Sequence, residues 1–127
     1  MDIRSIEKRQ PKIEQGGNVS VWWLFEPGEM LDATDGGYLE LVIEFEIKGG
    51  EKGNPHKHPT YAFYYVTQGR GVIKIGNEIK DIYPGDLIKI PPNKVHSMWP
   101  KSENASLRCF CFAIGLKGTL KKDYINN

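Results

Sequence analysis

The sequence lacks most of what marks a nucleic-acid binder, a membrane protein or an exported one. Its net charge is only +1 over 127 residues, so no global field draws it to nucleic acid or to an acidic membrane surface. No run approaches the ~20 apolar residues of a membrane span. The opening stretch, Met1 to Lys12, contains no apolar segment of signal-peptide type. Cysteine is scarce: Cys109 and Cys111 are the only two, and a cytoplasmic protein with reduced thiols is the expectation. The Asn104-Ala105-Ser106 sequon then carries no meaning. Helical periodicity is also missing, apart from short turns near residues 28 to 33 or 119 to 124. Lys and Arg are absent from residues 13 to 47, which hold Glu14, Glu26, Glu29, Asp32, Asp35, Glu40, Glu44 and Glu46. The last 40 residues lean basic instead, which reads as two differently charged solvated faces.

What the chain has in quantity is turn residues, with 14 glycines and eight prolines spread between short apolar runs. That pattern predicts an all-β fold in one domain, residues 1 to 127. The clearest strand is Tyr38 to Ile47. There Leu39, Leu41, Ile43, Phe45 and Ile47 alternate with polar residues and predict one buried face. Further strands are predicted over Val19 to Phe25, Tyr61 to Thr67, Val72 to Ile75, Glu78 to Tyr83, Asp86 to Ile90, Val95 to Trp99 and Leu107 to Ile114. Gly76-Asn77 is a two-residue hairpin signal, and Pro84-Gly85 and Pro91-Pro92-Asn93 are turns. Alternation alone leaves a jelly roll, an immunoglobulin-like sandwich and a lipocalin-like barrel open.

There are three histidines. His56 and His58 flank Lys57, and in extended backbone positions i and i+2 point to one side. His96 follows the Pro-Pro-Asn turn. Three imidazoles on neighbouring strands suit a divalent transition metal. A His-x-His pair also suits a polar pocket without metal.

The context of these histidines resembles the cupin family. That family's first motif runs G-x5-H-x-H-x3-4-E-x6-G. This chain reads Gly50-Glu51-Lys52-Gly53-Asn54-Pro55-His56-Lys57-His58, with Gly69 at the closing glycine. The second motif, often P-G-D-x-x-x-I-P-P-x-x-x-H in small members, is matched from Pro84-Gly85-Asp86 through Ile90-Pro91-Pro92 to His96. The resemblance covers about residues 38 to 114. It implies a double-stranded β-helix, or jelly-roll barrel, with His56, His58 and His96 on one ion of iron, manganese, zinc or nickel. It also implies a homodimer, for which Val19, Val21, Trp22, Trp23 and Phe25 offer spare apolar surface.

One position departs from the family. Its usual carboxylate ligand falls here on Ala62, or on Tyr61 with shorter spacing. The chain is therefore expected to be a three-histidine variant, whose divalent ion keeps a charge of +2 and favours an anionic or chelating ligand. Glu44 and Glu46 fall on the opposite strand face. If the parity of His58 persists, Tyr64 and Val66 face inward, and Tyr64 is the candidate catalytic acid or base. Met98 is a candidate cavity residue. The buried-looking Cys109 and Cys111 read as small hydrophobes. The functional expectation is a metal-dependent enzyme of dioxygenase, isomerase or lyase type acting on a small oxygenated or anionic metabolite. The alternative is a non-catalytic binder of a sugar or organic acid.

Overall fold

The computed structural model describes residues 1–117. Ten strands form, and no α-helix occurs among the described residues: β1 (Asp2–Ser5), β2 (Lys12–Glu14), β3 (Val19–Val21), β4 (Tyr38–Ile47), β5 (Tyr61–Gln68), β6 (Gly71–Ile75), β7 (Glu78–Ile82), β8 (Asp86–Ile90), β9 (His96–Pro100) and β10 (Leu107–Gly115). They make a five-stranded sheet in the order β1-β8-β5-β10-β4 and a three-stranded sheet in the order β7-β6-β9, with β2-β3 as a small separate hairpin. Every pairing is antiparallel. This is the jelly roll that the alternation left as one of three choices.

The core lies between the two larger sheets. Val66, Ile73, Ile82, Ile88, Ile90, Leu107 and Cys109 are all buried there. Each large aliphatic side chain removed from water contributes roughly 1.5–3 kcal/mol, so these positions dominate what holds the sheets together. Inward residues alternate along β5 as Ala62, Tyr64 and Val66. The opposite face of β5 carries Phe63, which stacks on Phe112 with centroids 4.9 Å apart and meets Phe25 edge-on at 5.4 Å.

Two turns set the geometry around the histidines. Tyr83-Pro84-Gly85-Asp86 closes with Asp86 N–H on the Tyr83 carbonyl, and Gly85 has φ 92°. Proline followed by a residue at positive φ is the type II pattern. The Asp86 carboxylate accepts the Tyr83 N–H at 2.8 Å and fixes the turn. At Gly69, φ is 83° and a Cβ would run into the Ser106 carbonyl, so the closing glycine of the first motif is a steric requirement.

The N-terminal third differs from expectation. The strand predicted over Val19 to Phe25 stops at Val21, because the chain leaves the β2-β3 hairpin to lay Phe25 over the outer face of the large sheet. The apolar material there is therefore only partly spare. Residues 28 to 33 form successive turns rather than a helix, held by bonds such as Leu31 N–H to the Gly28 carbonyl. The other helical turn considered, 119 to 124, lies outside the described residues. Strands β1 and β2 were not anticipated. β1 pairs with β8 and is fastened by Arg4, which binds Asp2 at 3.0 Å and Glu29 at 2.6 Å and stands 3.6 Å over the Phe25 ring.

Candidate metal centre

The His56-Lys57-His58 segment crosses beside β9 without becoming a regular strand. His56 forms an isolated antiparallel bridge with His96. Each backbone donates its N–H to the other's carbonyl, at 3.0 and 2.9 Å. The Pro91-Pro92-Asn93 turn adds a second tie. Asn93 takes φ 62°, a left-handed conformation that asparagine tolerates better than most residues, and its N–H reaches the His58 carbonyl at 2.7 Å. The main chain thereby brings residues about forty apart in sequence into one cluster.

The three imidazoles converge. Ring centroids lie 4.4 Å apart for His56 and His96, 4.7 Å for His56 and His58, and 5.6 Å for His58 and His96. One ring nitrogen from each lies within 4.8 Å of the others. Two nitrogens on one ion at ~2.1 Å can be at most about 4.2 Å apart, so small ring rotations bring the set into ligation range. The orientation of two rings is fixed from behind. His56 Nδ1 bonds the Asn54 carbonyl at 2.8 Å, and His96 Nδ1 bonds the Lys94 carbonyl at 2.9 Å. A carbonyl only accepts, so Nδ1 carries the proton and Nε2 keeps the lone pair in the neutral ring. Burial pushes the His96 pKa down to about 4, and His56 and His58 lower it further against the raising effect of the Lys94 carbonyl. His96 is therefore neutral at physiological pH, as a ligand must be. The chemistry of this donor set fits a divalent transition metal, and the three histidines are positioned to bind one.

Tyr64 points inward as its parity predicted. Its hydroxyl lies 3.2 Å from His96 Nε2 and donates to that lone pair. Ala62 is buried in β5 opposite Ile90 and Ala113 and supplies no ligand atom. Glu44 is engaged by Arg108 at 2.7 Å on the outer side of the large sheet. Burial pushes both cysteine thiols up to about 12, which leaves them protonated and poor as ligands.

The histidines open onto a cavity of about 370 Å³. Its other wall is the inner face of β4, with Leu41, Ile43, Phe45 and Ile47, joined by Met98 and Cys111. Asn54 and Ser97 complete the polar end, and among the described residues no Asp, Glu, Lys or Arg lines the cavity. Met98 was anticipated here. The β4 side chains were not, because their alternation was read as core. Larger clefts elsewhere, such as one of about 680 Å³ beside Met1 and Glu78, hold no comparable donor cluster among the described residues.

Residues 43–113, more than half of the chain, match the family model of the cupin domain, Cupin_2. The chain belongs to the cupin family. An uncharacterized protein of Methanocaldococcus jannaschii is 33% identical over 76 residues, which are 59% of this chain and 60% of that protein. The chain thus spans less than two thirds of that relative's length. Among solved structures, a cupin-2 domain protein from Rhodospirillum rubrum superposes with a TM-score of 0.53 at 20% identity, covering 65% of this chain and 57% of its own. The DMSP lyase DddQ from Ruegeria pomeroyi gives a TM-score of 0.54 at 17% identity, covering 65% of this chain and 43% of its own. At these identities the two structures speak for the fold alone.

Proposed function

We propose that the chain is a metal-dependent cupin enzyme, in which His56, His58 and His96 hold one divalent ion and Tyr64 moves a proton on a small oxygenated or anionic metabolite. The observation that carries this reading is the bonding behind two of the rings. Backbone carbonyls hold His56 and His96 in the tautomer whose Nε2 faces the cluster, an arrangement useful for a ligand and unnecessary for packing. A bound ion supplies Lewis acidity or, as iron, activation of oxygen. The chain's own residues do the rest. Phe45 and Met98 give a substrate at the cluster an apolar surround. The Tyr64 hydroxyl, 3.2 Å from His96 Nε2, stands where it reaches a substrate atom next to the cluster and donates or accepts a proton there.

The reading treats residues 1 to 127 as a single cupin domain, supported by the pairing of β1 into the barrel's own sheet. It also takes a homodimer as the working state. β4 is an edge strand with only β10 beside it, and Val42 and Phe110 are exposed on the outer face. Sedimentation should give twice the chain mass at micromolar concentration.

The central test is metal analysis of protein purified without an affinity tag, followed by titration of the stripped protein with Fe(II), Mn(II), Zn(II) and Ni(II). One ion per chain is expected. His58→Ala should lose more than the roughly 10- to 100-fold in affinity that removal of an outer-shell partner costs. Tyr64→Phe should retain the ion and lose roughly 100-fold or more of turnover. Full metal binding without any turnover, tried on diketones, thiols and sugar acids, would make the protein a binding module instead. No binding of any of the four ions defeats the proposal.

A further inference from the structure

The cavity is divided lengthwise by polarity. At one end stand His56, His58, His96 and Tyr64, and the wall facing them is the aliphatic and aromatic face of β4. Among the described residues no charged side chain stands in the lining, so none of them neutralises a divalent ion at the histidines or binds a second charged group on the ligand. The β4 wall is also the way out. Phe45 packs against Tyr64 with centroids 5.1 Å apart at the closed end, whereas Ile43, on the same inner face, is 46% exposed. A volume of about 370 Å³ takes roughly a dozen non-hydrogen atoms at about 30 Å³ each.

From this arrangement we infer that the ligand is an amphiphilic monoanion: one carboxylate or similarly chelating head at the histidines, and an unbranched apolar tail lying along Phe45 and Ile43 toward the mouth. The inference rests on the metal reading for the head and on the β4 wall for the tail, and the two can fail separately. A sugar acid or a phosphorylated metabolite has polar atoms along its whole length. In this cavity those atoms would lie against Leu41, Ile43 and Met98 without hydrogen-bond partners. A short apolar tail instead gains from every methylene it hides from water.

The test is a chain-length series, acetate to dodecanoate, measured by calorimetry against the Zn(II)-loaded protein and against the stripped protein. Affinity should rise roughly fourfold per added methylene until the cavity is full, and then level off. Hexanoate should bind the loaded protein at least tenfold more tightly than 1-hexanol does. Ile43→Asp places a charge on the tail wall and should flatten the series. Val42→Asp, on the other face of the same strand, should leave it unchanged, which separates the wall from any general effect on β4. The wild-type series needs no variant to be read. Affinity that is flat or falling with chain length overturns the inference, and equal binding of hexanoate and 1-hexanol by the loaded protein overturns its anionic half. A rise with chain length in protein that takes up no ion supports the tail assignment while defeating the metal reading.

Discussion

Strands β5 and β4 both present apolar residues on their inner faces, and those faces meet solvent very differently. Along β5, Ala62, Tyr64 and Val66 are all buried. Along the inner face of β4, Leu41, Phe45 and Ile47 pack against the core while Ile43 stays open. The reason lies in the neighbours. β5 is hydrogen-bonded to β8 on one side and β10 on the other; its Ala62 and Val66 face the filled half of the barrel and Tyr64 alone of the three reaches the cavity. β4 has β10 alone, faces the cavity, and is bent by a bulge: Ala113 opposes Leu41 but Ile114 opposes Leu39, which leaves Glu40 extra. A period of two reports which face points inward. It does not report whether anything is there to meet it.

The sharpest way to break the comparison is to put the same charge on each strand. Val66→Asp buries an unpaired carboxylate in the core and should cost more than about 4 kcal/mol, enough to leave the protein largely unfolded in urea titration. A smaller effect, and one that isolates the closed side, comes from acid. His96 titrates at about 4 in the folded chain and near 6.5 unfolded. Between those values the unfolded chain binds the extra proton, so metal-free protein should lose stability as pH falls from about 6.5 and stop losing it, on this account, below about 4. The total is on the order of 3 kcal/mol, measured as urea midpoints against pH, and it should vanish in His96→Phe. The smallest effect is expected from Ile43→Asp, within about 0.5 kcal/mol of wild type, since the side chain is already half in water. A cost close to that of Val66→Asp would mean that the mouth of the cavity is closed in solution.

Much of the fold was legible in the sequence, and the reasons it was or was not are specific. Tyr38 to Ile47 and Asp86 to Ile90 have the strand limits that alternation and flanking turns implied, because Gly and Pro punctuate both ends. The histidine cluster was legible because its three residues stand in two motifs that resemble those of the cupin family; the His-x-His spacing alone left a metal-free pocket open. Strand β1 was not, since Asp2-Ile3-Arg4-Ser5 has no apolar run and is held by ion pairs with residues far along the chain. The end of β3 at Val21 was equally invisible, because Phe25 is drawn off by Phe63 and not by any breaker in its own segment. The tail wall of the cavity was misread as core for the reason that separates β4 from β5.

The backbone ties between the histidine segments bear on how the barrel assembles. His56 pairs with His96, and His58 with Asn93, so each tie closes a loop spanning the whole of β5 to β8. Closing a loop that long is a late event in folding, because its entropy must be overcome before the contact returns anything. Until then the chain offers two neighbouring imidazoles and no third. An ion that needs all three recognises only the finished barrel, adds stability to that state alone, and acts on the clock of unfolding: it would lengthen the lifetime of the native barrel and leave the rate of folding nearly as it was.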